Sequence, residues 1–235
     1  MSRPSLRFAA QSLLQAAFLL ALLFSPLISH ASIDNPSLFA DENGIEAEPT
    51  PPSPAWYSFP ATPDFTHRIS LYAGKYTTQS MGDTATFWSV DFEENHLVAL
   101  AYARDMLDLA YDLRLGPEVG VAARFGCRWS AEIWAGAALR HRGIVLFNRL
   151  RLEPAFTLGL SWIHNSIGIE RNREETQDGD ATWLVYLGPE LAFSLPQYPQ
   201  WTIFYRLHHR SGAFRTFGNL KGGHNANTIG LRYSF

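Results

Sequence analysis

The sequence predicts an all-β chain, an eight-stranded antiparallel transmembrane barrel of the outer-membrane type with a filled polar lumen. Three observations carry this reading. Eight segments after residue 66 alternate apolar and polar side chains with a period of two. An export-type segment precedes them. The chain closes on Ile229-x-Leu231-x-Tyr233-x-Phe235, an alternating strand ending in an aromatic residue.

Residues 1–31 read as a signal peptide. Arg3 and Arg7 form a positive start with no acid, 17–24 are uniformly apolar, and Ser29-His30-Ala31 is a small-x-small cleavage site. The apolar run is short for a membrane-spanning helix, and Gln15 and Pro26 interrupt its flanks. Its removal leaves about 204 residues, enough for one domain, and takes the formal charge from −3 to about −5. That balance excludes a nucleic-acid footprint. Cys127 is the one cysteine, so no internal disulfide supports the fold; it is expected in a loop between strands. Residues 32–65 are acidic and then proline-rich, with Pro49, Pro51, Pro52 and Pro54. They read as an irregular extension whose Trp56, Tyr57 and Phe59 dock near the barrel rim.

Residues 66–235 then form the barrel. The expected strands cover about 67–77, 95–105, 108–124, 129–141, 150–162, 182–195, 201–211 and the closing segment. Segment 150–162 is the clearest. Leu150, Leu152, Phe156, Leu158, Leu160 and Trp162 fall on one face; Arg151, Glu153, Thr157, Gly159 and Ser161 fall on the other. The polar face carries both signs, among them Glu118, Glu132, Arg140, Glu190, Arg206 and Arg232. Eight strands leave a lumen just wide enough for side chains, so these residues read as an ion-paired plug rather than a pore. A soluble sandwich or lipocalin-like barrel is the competing fold. Lys75 and Lys221 are the only lysines, and Trp129, Trp162, Trp183 and Trp201 sit near strand ends as in aromatic girdles. Both favour the membrane.

Eight strands place both termini at the periplasmic side, with long polar loops 78–94 and 164–181 outside and the link 195–200 inside. The seventh strand then rises from Trp201, with Ile203, Tyr205 and Leu207 on its apolar face. His209 and Ser211 continue that same face. Residues i and i+2 of a strand project from one side about 7 Å apart at Cα, so their side chains can meet. A serine hydroxyl needs a base in reach to act as a nucleophile, and polar groups on a lipid-facing surface are costly.

The export segment, the barrel, the stretch Tyr205-Arg206-Leu207-His208-His209-Arg210-Ser211 and the closing strand together resemble the lipid A 3-O-deacylase (PagL-type) family. The resemblance implies an outer-membrane carboxylic ester hydrolase that removes an ester-linked acyl chain from the lipid A of lipopolysaccharide. Ser211 would be the nucleophile and His209 the base. The family's orienting acid falls at Asn225, ten residues before the C-terminus, and the asparagine that follows its nucleophile is here Gly212. An amide can fix an imidazole tautomer but brings no charge, and a glycine backbone N–H can still serve an oxyanion hole. Asn227, Glu174 and Glu175 are the substitutes considered. One alternative expectation is an inactive relative serving as a structural, adhesive or lipid-binding barrel; a second is a small transport or lipid-binding barrel using the polar lumen, though balanced lumen charges argue against an open path.

The partners implied are lipid A, the membrane itself, and barrel-assembly machinery engaging Phe235; a homodimer is left open. No cofactor or metal is expected. His208 and His209 point to opposite faces, and Gln177-Asp178-Gly179-Asp180 lacks calcium-loop spacing and reads as solvated loop.

Overall fold

The computed structural model describes residues 56–58, 64–85 and 90–235. The expected signal peptide and most of the acidic, proline-rich extension lie outside them. The chain forms β1 (Tyr57–Ser58), β2 (His67–Thr77), α1 (Met81–Ala85), β3 (Phe92–Arg104), β4 (Leu107–Asp108), β5 (Leu113–Phe125), β6 (Ser130–His141), β7 (Ile144–Leu146), β8 (Leu150–Ile163), α2 (Gly168–Gln177), β9 (Trp183–Ser194), β10 (Trp201–Ser211) and β11 (Gly223–Ser234). Eight of the strands pair antiparallel in the order β8-β6-β5-β3-β2-β11-β10-β9, and β9 pairs back with β8. The sheet therefore closes, and no long strand keeps a free edge. The ends close on themselves too: the His67 and Phe235 backbones exchange two hydrogen bonds of 2.9 Å.

The side-chain alternation assigns the faces. Leu71, Val98, Leu100, Val119, Val121, Ile133, Leu158, Leu160, Ile203, Ile229 and Leu231 all point outward and are exposed. An apolar belt of this extent has no place in water, and it encircles a closed barrel, so the fold is a transmembrane one. Trp201, Tyr233, Phe235 and His67 cluster at the end carrying the short turns. Trp162 and Trp183 are cross-strand partners near the other, long-loop end.

The inward face is filled. Arg206 pairs with Glu118 at 2.7 Å and Glu190 at 2.8 Å; Arg140 reaches Glu118 at 2.5 Å and Arg232 reaches Glu190 at 2.7 Å. Above this layer sits an aromatic one that the alternation count did not anticipate. Trp134 stacks on Tyr186, Tyr72 meets Phe204 edge-on, and all are fully buried. His208 joins the aromatic layer to Glu132 at 2.9 Å.

Three expected boundaries are corrected. The second strand begins at Phe92 rather than Asn95. Its polar start conceals a register shift opposite Lys75 and Thr77, where Glu93 and Asn95 turn inward. The third strand begins at Leu113 rather than Asp108. Residues 109–112 turn, with Tyr111 and Asp112 at φ 61° and 54°, and β4 folds back on Leu115 and Arg114. Finally, 164–181 is not simply solvated loop, because it contains α2. Helix α2 has no side-chain N-cap; instead Glu93 Oε1 accepts from the Ile169 N–H at 3.0 Å. Its Glu170 turns into the lumen, pairing with Arg124 at 2.7 Å and with Arg210. Burial pushes the Glu170 carboxyl up, and Arg124 and Arg210 more than reverse that, so it lies well below the usual carboxylate range. The long link at 141–149 also has a structure: β7 pairs with β8 and receives β1 through Tyr57 and Leu146.

Candidate functional site on the outer face

Along the outward face of β10 the exposure changes abruptly. Ile203 is 60% exposed, whereas Leu207 and His209 are 1% and 6% exposed. The covering element is the segment that follows β2. Ser80 starts it as a capping residue, accepting from the Asp83 N–H at 3.3 Å and donating to the Asp83 carboxylate at 2.6 Å. Helix α1 then packs against β11 and β10 on the outside of the barrel. The Thr77 and Thr84 hydroxyls meet at 2.8 Å, and Asn227 Nδ2 donates to the Thr84 carbonyl at 3.3 Å.

Beneath this cover His209 and Asn225 are direct cross-strand partners. Their side chains meet at 2.5 Å between Nδ1 and Oδ1. Asn225 Nδ2 donates to the Gln79 carbonyl at 2.6 Å, which leaves Oδ1 as the acceptor facing the imidazole. A hydrogen bond at Nδ1 therefore needs the proton on Nδ1, and Nε2 keeps its lone pair. The amide thus fixes the imidazole in the tautomer that a general base requires.

The ring's position depends on a glycine. A Cβ on Gly223 would lie 2.3 Å from His209 Cε1, so only a bare backbone lets the ring lie over it. Gly223 is also the cross-strand partner of Ser211, which puts Ser211 beside the imidazole on the same outward face. Among the described residues, no hydrogen bond joins Ser211 to His209. Ser211 is half-buried, at the top of β10.

The remaining expected residues divide. Asn227 accepts from the Tyr205 hydroxyl at 2.6 Å, and the imidazole of His209 is held by Asn225 instead. Glu174 accepts from the Ala181 N–H at 2.6 Å and from Ser166, closing the loop. Glu175 pairs with Arg171 at 3.0 Å on the exposed side of α2. Neither acid replaces the missing charge beside His209. Gly212 is wedged: a Cβ there would lie 2.2 Å from the Leu220 carbonyl oxygen, so an asparagine does not fit without moving backbone. His208 points inward and His209 outward, so the two do not share a ligand.

Sequence reasoning missed Gln79, Gly223 and Arg173. Arg173, on α2, donates to the Gly223 carbonyl and lies over Gly222. Gly222-Gly223 carried a signal, since paired glycines mark close backbone approach as well as turns. Gln79 acts through its backbone carbonyl and carried none.

No family model matches the chain, and no curated protein matches it. Solved structures resembling it include small outer-membrane barrels. The outer-membrane enzyme PagL is 8% identical, over 72% of this chain and 99% of that one, with a TM-score of 0.48. Neisserial surface protein A is 11% identical, over 72% and 97%, at 0.45. The N-terminal β-barrel domain of OprF from Pseudomonas aeruginosa is 11% identical, over 72% and 97%, at 0.41. At these levels the comparison carries no argument about chemistry, and the site rests on its own geometry.

Proposed function

We propose that the chain is a bacterial outer-membrane ester hydrolase that removes an ester-linked acyl chain from lipid A. One observation carries the reading. His209 is a buried imidazole on the lipid side of the barrel, held through Nδ1 by an amide that is itself anchored, with Ser211 next to it. A polar arrangement built at this cost on a lipid-facing surface calls for a use. In this reading the long-loop end faces outward, which brings the site to the level of the outer-leaflet headgroups.

The chemistry follows from the tautomer. Nε2 takes the proton from Ser211 Oγ as the oxygen attacks the ester carbonyl. The resulting imidazolium returns that proton to the departing alkoxide, leaving an acyl-serine. Water, deprotonated by the same nitrogen, then releases the fatty acid and restores both groups. Asn225 steadies the imidazolium without a countercharge, so the rate should fall below that of a carboxylate-supported triad. The Gly212 backbone N–H is the oxyanion donor in this scheme.

The second reading is a barrel without hydrolytic activity. The missing hydrogen bond between Ser211 and His209 and the neutral Asn225 favour it. Mass spectrometry of lipid A from cells with and without the protein separates the two. A mass loss equal to one acyl chain, abolished by Ser211→Ala and by His209→Ala, is expected. Unchanged lipid A in cells that assemble the wild-type barrel would leave the second reading standing.

A further inference from the structure

A groove of about 550 Å³ opens on the lipid-facing side of the barrel, across β11, β2, β3 and β5. It is separate from the pair under α1: Tyr205 and Asn227 form its edge, and their hydrogen bond lies between groove and imidazole. The groove exists because Ala73 places only a methyl group outward, between Val98 on β3 and Ile229 on β11. Its volume is within the range of small-molecule sites. Its walls are apolar except in one row, the one nearer the long loops.

That row holds Lys75, one of two lysines in the sequence. Lys75 lies outward between Asn227 and His96, its cross-strand neighbours. Its ammonium sits 5.8 Å from the centre of the Phe92 ring. Among the described residues no carboxylate lies within ion-pair distance of it. The inward-facing Arg124, Arg140, Arg206, Arg210 and Arg232 are matched with acids; this outward lysine is not. A cation on a lipid-facing wall is stable when it reaches the headgroup level, and an anion there compensates it further. His96 stacks on Phe125 beside it and closes the row.

We propose that this groove binds one anionic, phosphate-bearing lipid, with an acyl chain along Ala73, Val98 and Ile229 and the phosphate held by Lys75. The apolar depression and the uncompensated cation lie in consecutive outward positions of β2, so chain and headgroup engage together. This binding does not require that Ser211 react with anything. It places a lipid at a fixed orientation on the same side of the barrel as His209.

The test is native mass spectrometry of the full-length mature barrel released from nanodiscs of equal parts phosphatidylglycerol and phosphatidylcholine. Wild-type protein should retain one phosphatidylglycerol in preference to phosphatidylcholine. Lys75→Gln should reduce that preference by roughly tenfold, the loss of one charge-assisted contact. Lys75→Arg should keep it. Ala73→Leu, an apolar substitution on a lipid-facing wall, should reduce retention of both lipids by filling the depression. Ser211→Ala should bind as wild type does, which separates this site from the hydrolase reading. Heat-modifiable migration on gels checks that each variant has assembled. The proposal is overturned by equal retention of the two lipids in wild-type protein, by a Lys75→Gln variant with unaltered preference, or by an Ala73→Leu variant that retains lipid normally.

Discussion

The barrel buries polar groups in two places, and it does so by opposite means. In the lumen the groups are charged and matched. Arg206 lies between Glu118 and Glu190, and Glu170 descends from α2 to meet Arg124 and Arg210. Under α1 on the outer face the groups carry no formal charge. His209, Asn225, Asn227, Thr77 and Tyr205 satisfy one another and the backbone carbonyls of Gln79 and Thr84. The lumen gathers acids and bases from all round the barrel, so ions can be neutralised inside it. The outer face has lipid on one side and a single short segment as cover, so a charge there would lack partners. A neutral amide at position 225 fits that environment. The difference is one of means: the lumen neutralises charge with charge, and the outer patch holds its imidazole with neutral partners.

The sharpest way to break this contrast is to remove a lumen charge. Arg206→Met leaves Glu118 and Glu190 short of their shared partner in a fully buried layer. The expected loss is about 3–5 kcal/mol, read from denaturant unfolding in detergent micelles. A loss no larger than that of an outer-patch variant would erase the distinction between the two regions.

Next in size is the test of which face is which. Leu158 is outward and exposed, near the middle of β8, and its neighbour Thr157 is inward, donating to Glu118 at 3.2 Å. Leu158→Arg should cost about 2–4 kcal/mol and lower the folded fraction on gels. Thr157→Ala removes one of several hydrogen bonds to Glu118 and should cost about 1 kcal/mol. The reverse order would invert the assignment of the faces.

These two tests concern what was legible in the sequence. Alternation located all eight barrel strands because one face meets lipid and the other packed side chains, and a period of two records that directly. It also placed Ser211 and His209 outward, since parity is all that decides it. Helix α2 escaped notice because its sequence, GIERNREETQ, has no apolar stripe; one buried glutamate docks it. The aromatic layer was hidden by averaging, since Tyr72, Trp134, Tyr186 and Phe204 sit among charged and glycine neighbours on the inward face. The roles of Gln79 and Gly223 depend on a backbone carbonyl and a bare Cα that reach the site only in the closed barrel, with Gln79 meeting Asn225 across 146 positions and Gly223 in register with Ser211.

Acid separates the two regions by a smaller amount. The Glu170 carboxyl is held below its ordinary range, so it contributes stability that is fully present above its unfolded pKa of about 4.3 and that is lost as pH falls toward its folded value. Glu170→Gln cannot lose that contribution. Between about pH 5 and pH 3 the wild-type protein should therefore lose more stability than Glu170→Gln does, measured as the shift in unfolding midpoint. Equal shifts would mean that α2 does not plug the lumen through this charge.

The last contrast comes from two glycines within the candidate site, and it sharpens the comparison most. An added Cβ at Gly212 meets the Leu220 carbonyl, which belongs to the backbone and cannot move alone. At Gly223 it meets the His209 ring at 2.3 Å and the Arg210 carbonyl oxygen at 2.7 Å, so there the conflict is shared between ring and backbone. Both substitutions should therefore cost about 1–3 kcal/mol, with Gly212→Ala, which meets backbone alone, the larger. If the outer patch serves the imidazole, Gly223→Ala should nonetheless be the worse of the two for hydrolysis. Tilting the ring moves Nε2 relative to Ser211, and a misplacement of about 1 Å can cost roughly 10²-fold in rate. The measurement is fatty-acid release from lipid A by purified protein in detergent, with unfolding midpoints for both variants recorded in the same detergent. A Gly223→Ala protein that folds and hydrolyses as wild type does would show that the placement of the ring over bare backbone is incidental.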